Sequence, residues 1–224
     1  MVFLLRNKQS ISHNTEMRNR IFLLFLGAGV FLFFVFFSYL VHKDLFTQFD
    51  FDTTVRLQDN ISRRLDWLFS ILSDVGSFEI VTTLLILILV VYRKLRGIFV
   101  LGFFGLFHFF EIYGKTFVDH LPPPEFMLRT QKIIEFPQFH VRKEFSYPSG
   151  HAGRAAFITV ILTFMLFRSK KISHTQKMFV IFGLAIYDMA MVISRVYLGE
   201  HWASDVIGGA ILGIAMGIIS FAFL

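Results

Sequence analysis

Six long apolar segments, separated by polar or charged residues, dominate the pattern of hydrophobic and polar positions along the chain. A helix that crosses a membrane needs about 20 mostly apolar residues, because the hydrocarbon core is about 30 Å thick. The pattern therefore predicts six membrane-spanning helices, at about 21–41, 71–92, 97–114, 151–167, 178–193 and 206–224. No internal repeat or low-complexity linker divides the chain, so we expect a single domain over residues 1–224.

The composition supports a membrane protein rather than a water-soluble one. Of the 224 residues, 55% are hydrophobic and 31 are Phe, whereas 17% are charged. A single water-soluble core of this size does not hide that many apolar side chains. The absence of cysteine excludes disulfides, thiolate catalysis and Cys-type zinc sites. The net charge of +6 is not arranged as a basic stripe with exposed aromatics, so no nucleic-acid partner is expected.

The distribution of lysine and arginine predicts an orientation, because positively charged short loops stay on the cytoplasmic side of a membrane. The N-terminal tail and the second-to-third and fourth-to-fifth loops hold eleven of the 22 basic residues and one acid, Glu16. The basic residues are Arg6, Lys8, Arg18, Arg20, Arg93, Lys94, Arg96, Arg168, Lys170, Lys171 and Lys177. We therefore expect both termini to be cytoplasmic. The compactness of the chain favours a bacterial plasma membrane.

Between the first two spans, residues 43–70 mix charged and apolar side chains and predict an amphipathic segment at the interface.

Two polar motifs adjoin apolar helices on the predicted outer side. In residues 194–205, His201 and Asp205 are four apart, so on a helix they lie one turn apart and about 40° from each other. A carboxylate in that place accepts one ring N–H and leaves the other ring nitrogen basic. In the motif Tyr147-Pro148-Ser149-Gly150-His151, a second histidine enters another helix. Two histidines with basic residues around them favour phosphoryl transfer.

Together with Lys115, which precedes a proline cluster, these motifs resemble the type-2 phosphatidic acid phosphatase superfamily. That superfamily comprises integral-membrane lipid phosphate phosphatases and soluble vanadium haloperoxidases. Its pattern has three parts: Lys-x6-Arg-Pro, Pro-Ser-Gly-His and Ser-Arg-x5-His-x3-Asp. The second and third parts match at every defined position. The resemblance covers about residues 71–215. It implies an all-α, six-span transmembrane helical bundle with the active site at the extracytoplasmic ends of the helices.

The resemblance also implies a role for each matching residue. His201 would be the nucleophile that forms a phosphohistidine, with Asp205 holding its tautomer. His151 would protonate the leaving oxygen and then activate water. A helix that begins after Pro148 would present free N–H groups to an anion. The residues expected to bind the phosphate are Lys115, Arg195, Ser149, Gly150 and Arg154.

The first part of the pattern departs from the family at one position. Pro122 stands where an arginine is expected after Lys115, so the phosphate loses one bidentate partner. Arg154 follows His151 by three residues and shares its helix face, and it is the replacement that we favour. Arg129 in the outer loop is the other candidate. The alternative for Arg154 is that it pairs with an acid or reaches the membrane interface.

Two acids lie within predicted spans, where ionisable groups are functional candidates. Glu111 precedes Lys115 by four residues and Asp188 precedes Arg195 by seven, so we expect both acids to orient those cations.

Six other histidines lack a setting comparable to that of His151 and His201. Two of them, His120 and His140, lie in the loop 119–147, which we expect to cap the site, and they are candidates for contact with substrate.

The expected function is removal of phosphate from a membrane lipid phosphate or diphosphate, with no cofactor and no metal ion. Examples are undecaprenyl diphosphate, phosphatidic acid and phosphatidylglycerol phosphate. The alternatives are a phosphotransferase of the same superfamily, a metal-dependent membrane hydrolase with a two-histidine-one-acid site, and a lipid-binding or transport protein. Gly209, Gly213 and Gly217 form a small-residue stripe that predicts close helix packing, within the bundle or in a homodimer.

Overall fold

The computed structural model describes residues 2–92, 96–131 and 145–224, with side chains from residue 16 onward except that of Tyr92. Within these ranges the chain forms helices and no strands, which confirms the expected all-α class. The helices are α1 (Val2–His42), α2 (Thr47–Asn60), α3 (Asp66–Val75), α4 (Phe78–Tyr92), α5 (Gly97–Phe117), α6 (Gly150–Arg168), α7 (His174–Tyr197) and α8 (Ala203–Phe221). Single 3₁₀ turns lie at Arg63–Leu65 and Glu125–Met127.

Five helices in the described part of the chain are long and apolar enough to cross a membrane. They are α5, α6, α7, α8 and the part of α1 from Glu16 to His42. Two further pieces, Arg63–Val75 and Phe78–Val91, meet at an angle of 48° and pass the same test of length and composition only when taken together, as a candidate sixth span. The prediction of one continuous span over 71–92 is therefore wrong, because the helix breaks at Gly76 and Ser77.

The break between α3 and α4 has a physical cause, since Gly/Ser pairs are common sites of helix kinks. A Cβ atom on Gly76 would lie 2.6 Å from the Cε atom of Met191, so a larger residue here would displace the flexible end of that side chain. The carbonyl of Gly76 accepts a hydrogen bond from Nε of Arg154 at 3.0 Å. This bond satisfies a backbone carbonyl that the break leaves without a helical partner. Arg154 thereby ties α6 to the break.

Helix α8 is the centre of the bundle and packs most extensively against α6 and α1, and also against α5. A Cβ atom on Gly209 would lie 2.2 Å from the carbonyl oxygen of Ser149, and one on Gly213 would lie 2.1 Å from that of Gly153. The two helices therefore meet backbone to backbone, as small residues permit. The small-residue stripe on α8 is used inside the bundle, so it lends no support to the predicted homodimer, which stays a prediction.

The segment over 43–70 is docked onto the bundle, and its predicted position at the membrane interface stays a prediction. Asp50 of α2 and Asp66 at the start of α3 are both buried. Asp50 accepts hydrogen bonds from the backbone N–H and the hydroxyl of Ser204 at 2.7 and 2.6 Å. Asp66 accepts one from the hydroxyl of Tyr197. These bonds attach α2 and α3 to the adjoining ends of α7 and α8.

The start of the α1 span lies beside the C-terminal end of α8, since a Cβ atom on Gly27 would lie 2.4 Å from Cγ1 of Ile219. This end of the bundle is opposite the one at which the polar motifs meet, beside the start of α8. Arg93, Lys94 and His140, together with much of the predicted cap 119–147, lie outside the described residues, as do the side chains of Arg6 and Lys8.

Candidate active site

The two polar motifs meet where α5 and α7 end and where α6 and α8 begin. A Cβ atom on Gly114, near the end of α5, would lie 2.5 Å from Cδ of Pro148. The N–H of Ser149 donates to the carbonyl of Asp205 at 3.0 Å, which holds the start of α6 on the first turn of α8. Segments from separate regions of the sequence therefore share one end of the bundle.

His201 and Asp205 form a pair, although helical spacing is not the reason. His201 precedes α8, which begins at Ala203, and Asp205 lies in the first turn of that helix. The Oδ2 atom of Asp205 accepts a hydrogen bond from the N–H of Trp202 at 3.0 Å, so Asp205 caps the start of α8. The same oxygen lies 3.3 Å from Nδ1 of His201. With Nδ1 donating to the carboxylate, Nε2 is the ring atom that carries a lone pair.

The surroundings of His201 favour its neutral form. Burial lowers the pKa of His201, and the cationic groups of Arg195 and Lys115 lower it further. The hydrogen bond and charge of Asp205 act in the opposite direction but do not outweigh them. The imidazole is therefore unprotonated at neutral pH, as a nucleophile must be.

Arg195 is buried in the last turn of α7 and is held from two sides. It donates hydrogen bonds to the hydroxyl of Ser73 and to the carboxylate of Glu200, which also accepts one from Thr130. Burial raises the pKa of Glu200, but the charge of Arg195 and the bond from Thr130 outweigh it and leave this pKa lowered. In the described part of the chain, the Nε atom of Arg195 is buried with no hydrogen-bond partner.

Sequence reasoning missed the role of Glu200 as the carboxylate that pairs with Arg195. The signal was available, since Glu200 lies between Arg195 and His201 in the sequence. Asp188, which we expected to orient Arg195, instead accepts a hydrogen bond from Thr159 of α6 at 3.0 Å.

Glu111 of α5 lies among basic groups, as its spacing from Lys115 predicts. Its carboxylate is 3.4 Å from Nζ of Lys115, 3.6 Å from Nη1 of Arg154 and 2.9 Å from Nδ1 of His108. A Cβ atom on Gly150 would lie 2.1 Å from Oε1 of Glu111. Glycine in the second motif therefore allows this carboxylate to pack against the start of α6.

The start of α6 presents several donors without partners. Ser149 is the residue before the first turn, and its Oγ is fully buried and has no hydrogen-bond partner among the described residues. The N–H groups of Gly150 and His151 belong to the first turn, where a helix leaves its donors unpaired. Four groups lie within electrostatic range of His151: Arg195, Arg154, His201 and Lys115. Such a collection of cations and free donors at a helix N-terminus suits an oxyanion.

Of the two candidates for the arginine missing from the first motif, Arg154 is the one beside His151. Arg129 lies with its guanidinium 5.2 Å from the ring centre of Tyr197, and its N–H donates to the carbonyl of Leu198. Arg154 also pairs with the buried carboxylate of Glu111, as the alternative interpretation from the sequence describes, and its role in phosphate binding stays a prediction.

The environment of His120 was not predicted from the sequence. The expectation that its setting differs from that of His151 and His201 is wrong. His120 is buried, with Nδ1 2.8 Å from Oδ1 of Asp205 and Nε2 3.8 Å from Oδ2 of Asp50. His120 and His201 lie at different oxygens of Asp205, and contact of His120 with substrate stays a prediction. The only signal in the sequence was its position within the first motif, shortly after Lys115.

No group of three His, Cys, Asp or Glu side chains that could hold a metal ion occurs among the described residues. The two-histidine-one-acid alternative requires such a group. The cations around His151 favour an anion instead, and the metal-independent reaction stays a prediction.

The fold is that of an integral-membrane helical bundle, and one end of it brings two histidines together with several basic side chains. A sequence profile described as the PAP2 superfamily matches residues 93–224, more than half of the chain. The chain belongs to this superfamily, and it is an enzyme of the membrane lipid phosphate phosphatase class.

Two curated proteins of Bacillus subtilis (strain 168) are similar in sequence. Phosphatidylglycerophosphatase B is 26% identical over 160 residues, which cover 68% of this chain and 73% of that protein. Undecaprenyl-diphosphatase BcrC is 32% identical over 78 residues, which cover 35% of each chain.

Two solved structures are similar in fold. The transmembrane PAP2 type phosphatidylglycerolphosphate phosphatase from Bacillus subtilis has a TM-score of 0.73 and 22% identity, covering 88% of this chain and 94% of that one. Aquifex aeolicus LpxE has a TM-score of 0.57 and 25% identity, covering 77% and 94%. The first of these similarities is evidence for the fold alone.

Proposed function

We propose that this protein removes phosphate from a membrane lipid phosphate or diphosphate, without a metal ion, through a phosphohistidine on His201. The observation that carries the proposal is the convergence of an Asp205-bonded imidazole with His151, Arg195 and Lys115 at one end of the bundle. A site at the ends of membrane spans admits a phosphate headgroup while the lipid chain stays in the bilayer. The names of the two curated relatives favour phosphatidylglycerol phosphate and undecaprenyl diphosphate, with phosphatidic acid as a third candidate.

In the first step, the lone pair on Nε2 of His201 attacks phosphorus and a P–N bond forms. The bond from phosphorus to the leaving oxygen breaks, and His151, protonated beside the bound phosphate anion, gives that oxygen a proton. The Nδ1–H of His201 stays bonded to Asp205, so the carboxylate stabilises the positive charge that the ring acquires as it attacks.

In the second step, His151, now neutral, takes a proton from water, and the water oxygen attacks the phosphohistidine. The P–N bond breaks, inorganic phosphate leaves, and His201 returns to its neutral form. Each group ends the cycle in its starting protonation state, so the reaction requires no co-reactant except water.

The phosphate oxygens would be bound by groups that otherwise lack partners. The Oγ of Ser149 and the Nε of Arg195 are buried donors without a hydrogen bond in the described part of the chain, a costly state unless a ligand is present. Lys115 and Arg154 supply further positive charge next to His151. Donors placed in advance around the non-bridging oxygens stabilise the charge that the transition state redistributes.

The protein is integral to a membrane, and we place it in a bacterial plasma membrane with both termini in the cytoplasm. The support is the basic composition of the N-terminal tail and of two loops at the end opposite the site. This orientation puts the reaction on the extracytoplasmic side.

The test is turnover by purified full-length protein in micelles, measured as phosphate release from a panel of mono- and diphosphate lipids. Parallel reactions contain EDTA or vanadate, which adopts the trigonal-bipyramidal geometry of transferring phosphoryl groups. We expect activity that persists in EDTA, is inhibited by vanadate and is abolished by His201→Ala. His174→Ala, at the other end of α7, is the matched control and should retain activity.

Other outcomes identify the alternatives. Activity lost in EDTA and restored by one divalent metal would show a metal-dependent hydrolase. Transfer of the phosphoryl group to the hydroxyl of an added lipid or sugar, rather than release of inorganic phosphate, would show a transferase. Turnover by a folded His201→Ala variant would refute the assignment of the nucleophile.

A further inference from the structure

Asp205 is shared between two imidazoles. Its Oδ2 lies 3.3 Å from Nδ1 of His201, and its Oδ1 lies 2.8 Å from Nδ1 of His120. The reaction described above uses only the first of these contacts. The second comes from the segment after α5, and it is the shorter one.

His120 also has a second acid on its other side. Its Nε2 lies 3.8 Å from Oδ2 of Asp50, whose two oxygens accept hydrogen bonds from Ser204. Both carboxylates are buried, with Asp205 at 0% and Asp50 at 1% exposure. Buried carboxylates need positive partners, since an unpaired charge in such a place is expensive.

The protonated form of His120 fits this position better than either neutral form. A neutral imidazole has one N–H, so a ring that donates to Asp205 would turn a lone pair toward Asp50. A protonated ring offers an N–H to each side. Burial lowers the pKa of His120, but the bond to Asp205 and the charges of Asp205, Asp50 and Asp44 outweigh burial and leave it raised. The pKa of Asp50 is itself raised, chiefly by burial.

We propose that His120 is a positioning residue for the phosphatase reaction, bound as a cation to Asp205 so that it orients this carboxylate and keeps His201 unprotonated at neutral pH. The proposal rests on the proposed function, because it takes His201 as the nucleophile. The physical reason is that a carboxylate already bonded to a cation attracts a proton on a second ring less strongly.

The protonation state of His120 can be measured directly in the wild type. We expect ¹⁵N-histidine NMR of the protein in micelles at pH 7 to show a buried histidine, other than His151, with both ring nitrogens protonated. The signal is assigned to His120 by its absence from a His120→Asn or His120→Gln variant, whichever folds. A neutral tautomer at this position overturns the proposal.

The effect on His201 is measured from the pH dependence of kcat/KM with dioctanoyl phosphatidic acid in detergent micelles. Its acid limb reports the pKa of the nucleophile in the free enzyme. His120→Asn retains a side-chain N–H but removes the charge. We expect its acid limb to move up by about one pH unit, the lower end of the range for a nearby charge. His120→Lys, which restores a cation, should move it back, and His174→Asn should leave it in place.

A purely structural role for His120 predicts a different result. The height of the pH profile would fall in His120→Asn while its midpoint stayed at the wild-type value, and that outcome overturns the proposal. Failure of the underlying function looks different again, as a wild type without turnover or a His201→Ala variant that retains it. Either of those results would overturn both proposals.

Discussion

His120 lies 2.8 Å from Asp205 although 85 residues separate them, whereas His201, four residues away, lies at 3.3 Å. The carboxylate of Asp205 therefore joins the segment after α5 to the loop that carries the nucleophile candidate. Both oxygens of the carboxylate are occupied, which restricts its rotation. A constraint of this kind affects stability as well as catalysis, and the two effects are separable by measurement.

The contact predicts that the free energy of unfolding decreases at alkaline pH. Folding raises the pKa of His120 above its ordinary 6.5, because the hydrogen bond to Asp205 and the charges of Asp205 and Asp50 outweigh burial. A group with a raised pKa contributes stability that is complete below the unfolded pKa and is lost as the pH rises through the folded pKa. We expect the Tm of the wild type in detergent to fall above about pH 6.5.

The matched comparison is with His120→Asn, which should lack this part of the pH dependence. His174→Asn removes an exposed histidine and should retain it. The lowered pKa of His201 confines the effect of that residue to lower pH, so it does not confuse the comparison. If the Tm of the wild type and the Tm of His120→Asn change in parallel above about pH 6.5, the prediction is contradicted.

Arg154 should contribute more to phosphate binding than Arg129. Arg154→Ala removes a buried cation within electrostatic range of His151, whereas Arg129→Ala removes one that lies over Tyr197. We expect Arg154→Ala to raise the inhibition constant of vanadate by roughly 10- to 100-fold, the scale of a lost hydrogen bond to a charged group. Equal effects of the two substitutions, in variants of comparable Tm, would show that Arg154 is not the replacement for the missing arginine.

Gly213 should be intolerant of even one added methyl group. Gly213→Ala puts a Cβ atom 2.1 Å from the carbonyl oxygen of Gly153, so α6 and α8 must move apart. Forced overpacking of this kind costs about 1–3 kcal/mol. Gly183→Ala is the control, because a Cβ atom on this glycine of α7 meets nothing within 4 Å and alanine favours a helix. Equal Tm values for Gly213→Ala and Gly183→Ala would show that α6 and α8 have room for an added methyl group at Gly213.

The proposed orientation can be tested without a background signal, because the chain has no cysteine. Glu125→Cys lies at the end that carries the site and Lys170→Cys at the opposite end, and both positions are exposed. An impermeant maleimide should label Glu125→Cys in intact cells and Lys170→Cys only after the membrane is opened. The reverse pattern would invert the topology and place the site in the cytoplasm.

Some of the fold and the site followed from the sequence because their causes are local. A run of apolar residues is long enough to span a membrane whatever its neighbours do, so five spans were found with only their ends displaced. The motif residues that lie close in sequence were found for a similar reason. Asp205 in the first turn of α8 reaches His201, which lies two residues before that helix begins, and Ser149 and Gly150 begin a helix after Pro148.

The tertiary structure alone decided the contacts between distant segments. Asp50 is hydrogen-bonded to Ser204, 154 residues later in the chain, and no periodicity or spacing in either segment predicts this contact. The same holds for the pairing of His120 with Asp205 and for the hydrogen bond from Arg154 to the carbonyl of Gly76.

The sequence by itself thus determined the membrane spans, the family resemblance and the two motifs that hold the histidines. What only the tertiary structure decided is which buried charges meet which partners. The physical reason is that a helix or span is stabilised by residues within a few turns of each other. The pairing of buried polar groups depends instead on how separate helices pack, where each group must find its partner among side chains remote in sequence.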